Sequence, residues 1–299
     1  MNITQYRKLG ITSVPYVNAT KVAALLGRNK FESRDKAFFD FLQNANPTFS
    51  PLTSHKCPCS TWQEYIKGKQ KHQDILSSVV KTKIKTIIDE QSLLASQATS
   101  DVKVSSVLRE TEGLIANVLN EDCVGGNDCF LKECTKEVVK TRGTLLEEKA
   151  LNRMEEEMND VTAKVETKLY TNQRMISERN TKLRYIRAPA FSIGGKIDGY
   201  DEVENVVIEI KNRMRKTYAS TTPYDFEIVQ VILYMKMMRL EGKDCCAAII
   251  REVFPDGSSR STTIDWSEEE WRKIEEGMVA FSEEYAGLDE ERVDRLIKC

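Results

Sequence analysis

The chain has 299 residues, of which 40% are hydrophobic and 30% charged, and its formal net charge is -2. This length suits one large domain with insertions or two small domains, and the apolar content suffices for a core. The absence of any run of about 18 uncharged apolar residues excludes a membrane span, and the start MNITQYRKLG is unlike a signal peptide, so we expect an intracellular protein without a membrane partner.

The small net charge hides an uneven distribution along the chain. Residues 1–85 carry fourteen Lys and Arg against five Asp and Glu, whereas residues 267–294 carry eleven acidic residues against three basic ones. A near-neutral protein can still present a basic face to a polyanion such as DNA. Two solvated helix faces of opposite sign would explain the same pattern.

The N-terminal region predicts two helices. In VNATKVAALLGRNKFES a short apolar helix over residues 22–26 ends at Gly27, and Ser33 can cap a second helix. The apolar residues of that second helix share one face: Ala37, Phe38, Phe41 and Leu42. Three Pro then predict a loop over residues 46–60.

A helical insertion is predicted over residues 50–135. Apolar residues fall at helical spacing over 61–88 and again over 102–119, and EDCVGGNDCFLKEC then indicates a Gly-rich turn that carries Cys residues. His55, Cys57 and Cys59 could join Cys123, Cys129 and Cys134 in a zinc or iron–sulfur site. Their spacings fit no usual pattern of that kind, so free buried thiols are favoured.

The second half of the chain predicts one α/β core over residues 136–255, within a single domain of residues 1–299. A strong helix begins at Thr141, and polar and apolar residues then alternate over 164–213, which predicts three or four antiparallel strands. A helix from Pro223 to Gly242, the apolar strand CCAAIIREVF and a Glu-rich closing helix follow.

The stretch GGKIDGYDEVENVVIEIK, residues 194–211, carries the candidate chemistry. Side chains alternate along a strand, so Glu209 and Lys211 share one face with Val207, while Ile208 and Ile210 share the other. A turn after Asp198 can pair the two halves as a hairpin and bring the Asp198 carboxylate beside Glu209. Two adjacent carboxylates repel, and Mg²⁺, which prefers oxygen ligands, removes that repulsion. Lys211 could then hold or deprotonate a water, or stabilise charge on a phosphate.

Each of these residues also has an ordinary structural explanation. Asp198, followed by Gly, could simply form a turn, and Glu209 with Lys211 could be a surface ion pair worth less than about 1 kcal/mol.

These residues resemble the PD-(D/E)xK nuclease superfamily, with IDG at 197–199 in place of its Pro-Asp and EIK at 209–211 as its (D/E)-x-K. Three further motifs resemble the phage lambda exonuclease-like branch, also called YqaJ-type viral recombinases or alkaline exonucleases. The segment VNATKVAALLGRNKFES resembles the N-terminal motif of this branch, with Thr20 in place of Ser. The segment RGTLLEEKA resembles its acidic helix and supplies Glu147. The segment IVQVILY resembles its later helix and supplies Gln230 and Tyr234. The four motifs occur in the family's order over residues 18–234; the departures are Ile197 and Glu148 where the family has Pro, and the insertion.

The resemblance implies a restriction-endonuclease-like α/β fold, in which helices flank a mixed central sheet, and a Mg²⁺-dependent deoxyribonuclease in which Mn²⁺ can replace Mg²⁺. It implies that Asp198, Glu209 and the Ile210 carbonyl bind the metal with Glu147, that Lys211 activates the nucleophile, and that Gln230 orients Lys211 or a phosphate. The residues expected to contact DNA are Thr20, Arg28, Arg213, Arg215 and Tyr234, with Arg7 and Lys216 as further candidates.

The implied activity is digestion of one strand of linear double-stranded DNA from its end, for recombination or viral genome processing. An endonuclease of the same fold and a non-catalytic DNA-binding protein are the alternatives. The resemblance further implies a ring-like homotrimer and a single-strand annealing protein as a partner.

Overall fold

The structure is a computed structural model. It describes residues 15–45, 78–121, 128–165, 176–177, 182–187, 191–214 and 223–287. Its helices are α1 (Ala19–Leu25), α2 (Arg34–Ala45), α3 (Ser78–Gln97), α4 (Asp101–Glu121), α5 (Asp128–Val165), α6 (Asp225–Leu240) and α7 (Glu268–Ala286). Its strands are β1 (Tyr16–Asn18), β2 (Ile176–Ser177), β3 (Lys182–Arg187), β4 (Ser192–Lys196), β5 (Gly199–Asp201), β6 (Val206–Asn212), β7 (Ala247–Val253) and β8 (Ser259–Asp265).

The strands form two sheets, and the fold is mixed α/β as the sequence predicts. A five-stranded sheet has the order β2-β5-β6-β7-β8, in which β6 and β7 are parallel and the other pairs antiparallel. A three-stranded sheet has the order β1-β4-β3, with β1 parallel to β4. The chain crosses from the small sheet to the large one between β4 and β5, which places Asp198 at the crossing.

Strand β6 is central and is buried on both faces. Val207 belongs to the main core, which α6 and α7 cover, whereas Ile208 and Ile210 belong to a second core with Ala150 and Leu151 of α5. The predicted alternation along this strand is therefore confirmed. It places Glu209 and Lys211 on the α6 side of the sheet.

In the described part of the predicted insertion, α3 and α4 pack with the start of α5 as a bundle of three helices with its own core. That core is formed by apolar side chains of α3, α4 and the first half of α5: Val80, Ile84, Ile88, Ala95, Ile115, Leu119, Phe130, Cys134 and Val138. The Cys-bearing turn predicted over residues 121–134 is wrong from Asp128 onward, because α5 begins there. Phe130, Cys134 and Val138 recur every four residues, a helical spacing that buries all three on one stripe.

The other predicted helices are present where the structure describes the chain. Asn18 caps α1 through the Thr20 amide, and the face of α2 that carries Phe38 and Phe41 is buried. Gly242, where α6 was predicted to end, has a φ of 86°. The predicted loop at 46–60 and the start of the helix at 61–77 lie outside the described residues.

Five strands, β2 to β6, lie between residues 164 and 213 in two sheets, where three or four antiparallel strands were predicted. Two further strands, β1 and β8, were not predicted. Strand β1 has three residues, and β8, SRSTTID, is an edge strand whose side chains are mostly polar and partly or fully exposed. Among the described cysteines, Cys134 and Cys245 are free and buried, and Cys246 is free and exposed. No helix in the described part of the chain is long and apolar enough to cross a membrane.

Candidate active site

The crossing between the sheets brings Asp198 to the backbone of β6. Strand β5 pairs with β6 so that Gly199 lies opposite Ile208, and the preceding residue, Asp198, accepts a hydrogen bond at 2.7 Å from the Ile210 amide through Oδ2. The Asp198 carboxylate therefore lies beside Glu209, as the predicted hairpin requires.

Glu209 is buried, with 5% of its surface exposed, and its two carboxylate oxygens have different surroundings. Oε1 accepts from Lys211 Nζ at 2.6 Å and from Gln230 Nε2 at 2.9 Å. Oε2 is buried and has no hydrogen-bond partner among the described residues. An unsatisfied carboxylate oxygen is costly, so Oε2 marks a position where a ligand such as a divalent cation fits.

Lys211, Gln230 and Tyr234 form a chain of hydrogen bonds around Glu209. Lys211 Nζ donates to Gln230 Oε1 at 3.0 Å, and Gln230 Nε2 donates to the Tyr234 hydroxyl at 3.0 Å. Because an ammonium group only donates, it fixes the orientation of the Gln230 amide, with the oxygen toward Lys211 and the nitrogen toward Glu209. The lysine is thus held from two sides.

Tyr234 is packed beneath strand β4 and is 2% exposed. A Cβ atom at Gly195 would lie 2.3 Å from Cε1 of Tyr234, so only Gly lets the β4 backbone approach this ring. The close approach explains the second Gly of the GGK segment. The ring of Tyr234 is enclosed by protein and its hydroxyl is bonded to Gln230, and the DNA contact expected for this residue stays a prediction.

The charges of the site perturb one another. Burial and the neighbouring Glu209 raise the pKa of Asp198 to about 8. Burial lowers the pKa of Lys211, but its ion pair with Glu209 outweighs that effect and leaves the pKa above the ordinary value. These interactions thus disfavour a second negative charge on the carboxylate pair and keep Lys211 positively charged.

Glu147 projects from α5 toward the same charges. Burial is the main cause of its raised pKa, while Lys196 acts in the opposite direction and Glu209 adds to the increase. Within the described residues, no three His, Cys, Asp or Glu side chains lie close enough together to hold an ion. Glu147 is therefore near the Asp198–Glu209 pair without forming a three-carboxylate cluster with it.

The raised pKa of Asp198 predicts a specific pH dependence of stability in EDTA. Because the folded state binds this proton more tightly than the unfolded state, the contribution is fully present below the ordinary pKa of 3.8 and is lost as pH rises toward about 8. Asp198→Asn mimics the protonated carboxyl and removes the titration. The melting temperature of the native chain minus that of Asp198→Asn should thus fall between pH 4 and pH 8, as measured by thermal unfolding.

Adding Mg²⁺ supplies the control for that experiment. The ion should raise the melting temperature of the native chain more at pH 8 than at pH 4, because more of the Asp198 carboxyl is ionised there, and should have little effect on Asp198→Asn. A melting-temperature difference that is constant with pH, or that rises, would contradict the coupling of Asp198 to Glu209.

Two arginines that were predicted to contact DNA instead bind carboxylates. Arg28 pairs through two nitrogens with Asp225, at 2.9 and 2.6 Å, and also with Glu270. Arg213 donates to both oxygens of Glu227, at 2.8 and 2.9 Å, and to Glu252 at 2.7 Å. Both guanidinium groups have carboxylate partners within the protein, and the phosphate contacts expected for them stay predictions.

The remaining predicted contacts have different outcomes. Thr20 is exposed in the first turn of α1, where its hydroxyl donates to Asn18 at 3.1 Å, and Asn18 lies opposite Gly194 in the β1–β4 pair. The DNA contact expected for Thr20 stays a prediction. Arg7, Arg215 and Lys216 lie outside the described residues.

Three residues at or next to the site were not identified from the sequence. Lys196 is exposed and influences the pKa of Glu147; its only sequence signal is its place in GGKIDG. Glu227 and Glu252, each 1% exposed, hold Arg213 beside the site. Buried Glu residues cannot be told from exposed ones by residue type, although Glu252 lies within an apolar strand.

No family model matches the chain, and no curated protein matches its sequence. The chain is similar to the solved structure of an alkaline exonuclease (LHK-Exo) from Laribacter hongkongensis. The two sequences are 15% identical, the match covers 71% of this chain and 96% of that one, and the TM-score is 0.34. The same enzyme in complex with dAMP gives 18% identity, coverages of 68% and 90%, and a TM-score of 0.33.

A third similar structure is a phage related exonuclease from Haemophilus somnus 129PT, with 15% identity, coverage of 65% of this chain and 84% of that one, and a TM-score of 0.32. The three structures thus represent two proteins, an alkaline exonuclease and a phage related exonuclease. Because the identities and TM-scores are low, the chemistry of this chain is derived from its own residues.

Proposed function

We propose that the chain is a metal-dependent deoxyribonuclease that degrades one strand of linear double-stranded DNA from its end. The observation that carries the proposal is the state of Glu209. One of its oxygens is bonded to Lys211 and Gln230, and the other is buried without a partner beside a second carboxylate. This arrangement fits a hydrolase that uses a divalent cation to cleave phosphodiesters.

The metal ligands in this proposal are Asp198, Glu209 and the Ile210 carbonyl, with Glu147 contributing through water. Oxygen donors of this kind suit Mg²⁺, and Mn²⁺ can substitute. When bound, the ion would neutralise the carboxylates, polarise the scissile phosphate and make a water more acidic.

The protein side chains have separate tasks around the ion. Lys211, held by Glu209 Oε1 and Gln230 Oε1, places a positive charge where the attacking water and the phosphate meet. Gln230 is a positioning residue, because its amide bonds join Lys211, Glu209 and Tyr234 without a free donor for the substrate. The low exposure of Glu209 and Gln230 keeps water away from this network.

The choice between digestion from an end and internal cleavage is tested with DNA topology. The proposal predicts that the protein releases nucleotides from an end-labelled linear duplex in Mg²⁺, leaves closed circular duplex of the same sequence intact, and is inactive in EDTA. Substrates with and without a 5′ phosphate show whether the end is recognised through that group.

The two alternatives give different results in the same assay. An endonuclease of this fold would cut the closed circular duplex. A non-catalytic DNA-binding protein would slow the migration of duplex DNA in a gel-shift experiment and would cleave neither form. Either result would overturn the proposed activity. A role in recombination or viral genome processing, a ring-like homotrimer, a single-strand annealing partner and an intracellular location stay predictions from the sequence resemblance.

A further inference from the structure

A second candidate site lies on the other side of the large sheet. A cavity of about 290 Å³ is enclosed by α5, the end of α3 and the turn between β7 and β8. In the parallel β6–β7 pair, Glu209 lies opposite Ile250 and Lys211 opposite Glu252. The β7 residues that line the cavity, Arg251 and Val253, therefore point away from the face that carries the carboxylate pair.

The lining of this cavity is basic. Arg142, Lys149 and Arg153 of α5 recur at spacings of seven and four residues, which places them on one stripe of the helix, and Arg251 adds a fourth positive charge. Asp256 is the one acidic residue in the lining that the structure describes. Its Oδ1 accepts from the amide and the hydroxyl of Ser258, so this carboxylate is engaged within its own turn.

Arg142 is the residue that points to a ligand. It is 3% exposed, and its Nε donates to the Ala95 carbonyl at the end of α3 at 3.0 Å. Its other contact is a weak one, from Nη1 to the Met214 sulfur at 3.8 Å. No carboxylate pairs with it among the described residues, and burial lowers its pKa.

Capping of α3 uses only part of the hydrogen-bonding capacity of the Arg142 guanidinium group. One of its five N–H donors reaches a helix-terminal carbonyl, where a positive charge is favourable, and a second faces sulfur. A buried positive charge with unused donors is costly unless an anion completes it. The guanidinium geometry suits a phosphate group, which can accept two parallel hydrogen bonds.

We propose that this cavity binds the phosphate group of a small anion, with Arg142 at its base and Lys149 and Arg153 at its rim. The volume is at the lower end of the range for small-molecule sites, which suits inorganic phosphate or a mononucleotide. Arg153 is held in place by donating to the Gly257 carbonyl at 2.8 Å, and Arg251 by its pair with Glu157 at 2.5 Å. The site is separate from the candidate active site and does not depend on nuclease activity.

The test measures binding of inorganic phosphate by calorimetry, in EDTA and without DNA, against sodium chloride of equal ionic strength. The native chain should bind phosphate, and Arg142→Met should weaken binding by about tenfold or more, since it removes a buried charge-assisted hydrogen bond. Lys140→Met is the matched control on the same helix; Lys140 pairs with Glu137 at 3.2 Å and does not line the cavity, so binding should be unchanged.

A second variant keeps the test decisive if Arg142→Met does not fold. Lys149 is exposed, so Lys149→Met should fold normally and still weaken phosphate binding several-fold. Absence of phosphate binding by the native chain, or equal binding by native and Lys149→Met, would overturn the proposal.

The source of the phosphate is distinguished in the same experiment. Tighter binding of dAMP than of inorganic phosphate would assign the site to a phosphate ester, and equal binding would assign it to the free ion; both support the proposal. Displacement of bound phosphate by a short duplex in the Asp198→Asn variant would instead assign the cavity to the DNA backbone and overturn the small-anion assignment. Because no cleavage is measured, failure here leaves the proposed nuclease activity untouched.

Discussion

Replacement of Lys211 with methionine is expected to lower the rate of DNA cleavage by about 10²- to 10³-fold, the usual effect of removing one group that stabilises developing charge. Lys211 is 19% exposed and is bonded to Glu209 at 2.6 Å and to Gln230 at 3.0 Å, so its ammonium group is fixed before any substrate arrives. Methionine keeps the length of the side chain and removes the charge. The measurement is the single-turnover rate on an end-labelled linear duplex in Mg²⁺.

Metal binding separates this loss from a collapse of the site. Lys211→Met should bind Mg²⁺ at least as tightly as the native chain, because a positive charge no longer competes for Glu209, whereas Glu209→Gln should lose both metal binding and cleavage. Lys243→Met is the control. Lys243 pairs with Glu202 at the surface, so this variant should cleave DNA at the native rate. EDTA-sensitive activity near the native rate in Lys211→Met would show that the assigned role is wrong.

Replacement of Arg213 with methionine is expected to lower the free energy of unfolding by about 3–5 kcal/mol, the range measured when one partner of a buried ion pair is removed. Arg213 is 14% exposed and binds Glu227 and Glu252, which are each 1% exposed. Without it, the buried Glu227 keeps, among the hydrogen bonds of the described residues, only the one from the Tyr224 amide, while Glu252 keeps its bonds to Arg260. Urea unfolding, monitored by circular dichroism, measures the change.

The salt dependence of DNA binding decides between this structural role and a direct phosphate contact. If Arg213 serves only to bind carboxylates inside the protein, the folded variant should show the same slope as the native chain in a plot of log DNA affinity against log salt concentration. A slope reduced by about one would instead indicate a lost phosphate contact. Lys273→Met removes a surface ion pair with Glu269 and should leave the unfolding midpoint almost unchanged, which controls for the loss of a charge.

The part of the site that lies in the hairpin could be predicted from the sequence because its geometry is local. The two-residue period of β6 fixes the faces of Glu209 and Lys211, and the turn after Asp201 fixes the pairing that brings Asp198 beside them. The apolar spacing of α1, α2, α6 and α7 was equally sufficient for those helices. Strand β8 was missed because it is an edge strand with little apolar content, so its alternation carries no clear burial signal.

The contacts made by the arginines could not be predicted, because they join residues far apart in the sequence. Arg28 and Asp225 are separated by 197 positions, and Arg213 and Glu252 by 39. A basic residue near a nuclease motif fits a phosphate contact and an internal ion pair equally well until the fold places a carboxylate against it. The sequence therefore sufficed to identify the site residues of the hairpin, but it did not show which groups these two arginines bind.

The continuity of α5 determines how the protein can be shortened. At 38 residues and 1.5 Å per residue, this helix is about 57 Å long. Its first half packs into the three-helix bundle, its second half packs against β6, and Glu147 lies between the two cores. Residues 50–135 are predicted from the sequence to be an insertion, and in the folded protein they include the first two turns of this helix. Excising them would cut into the helix that carries Glu147, so we expect the bundle to support the α/β core and not to be a detachable module.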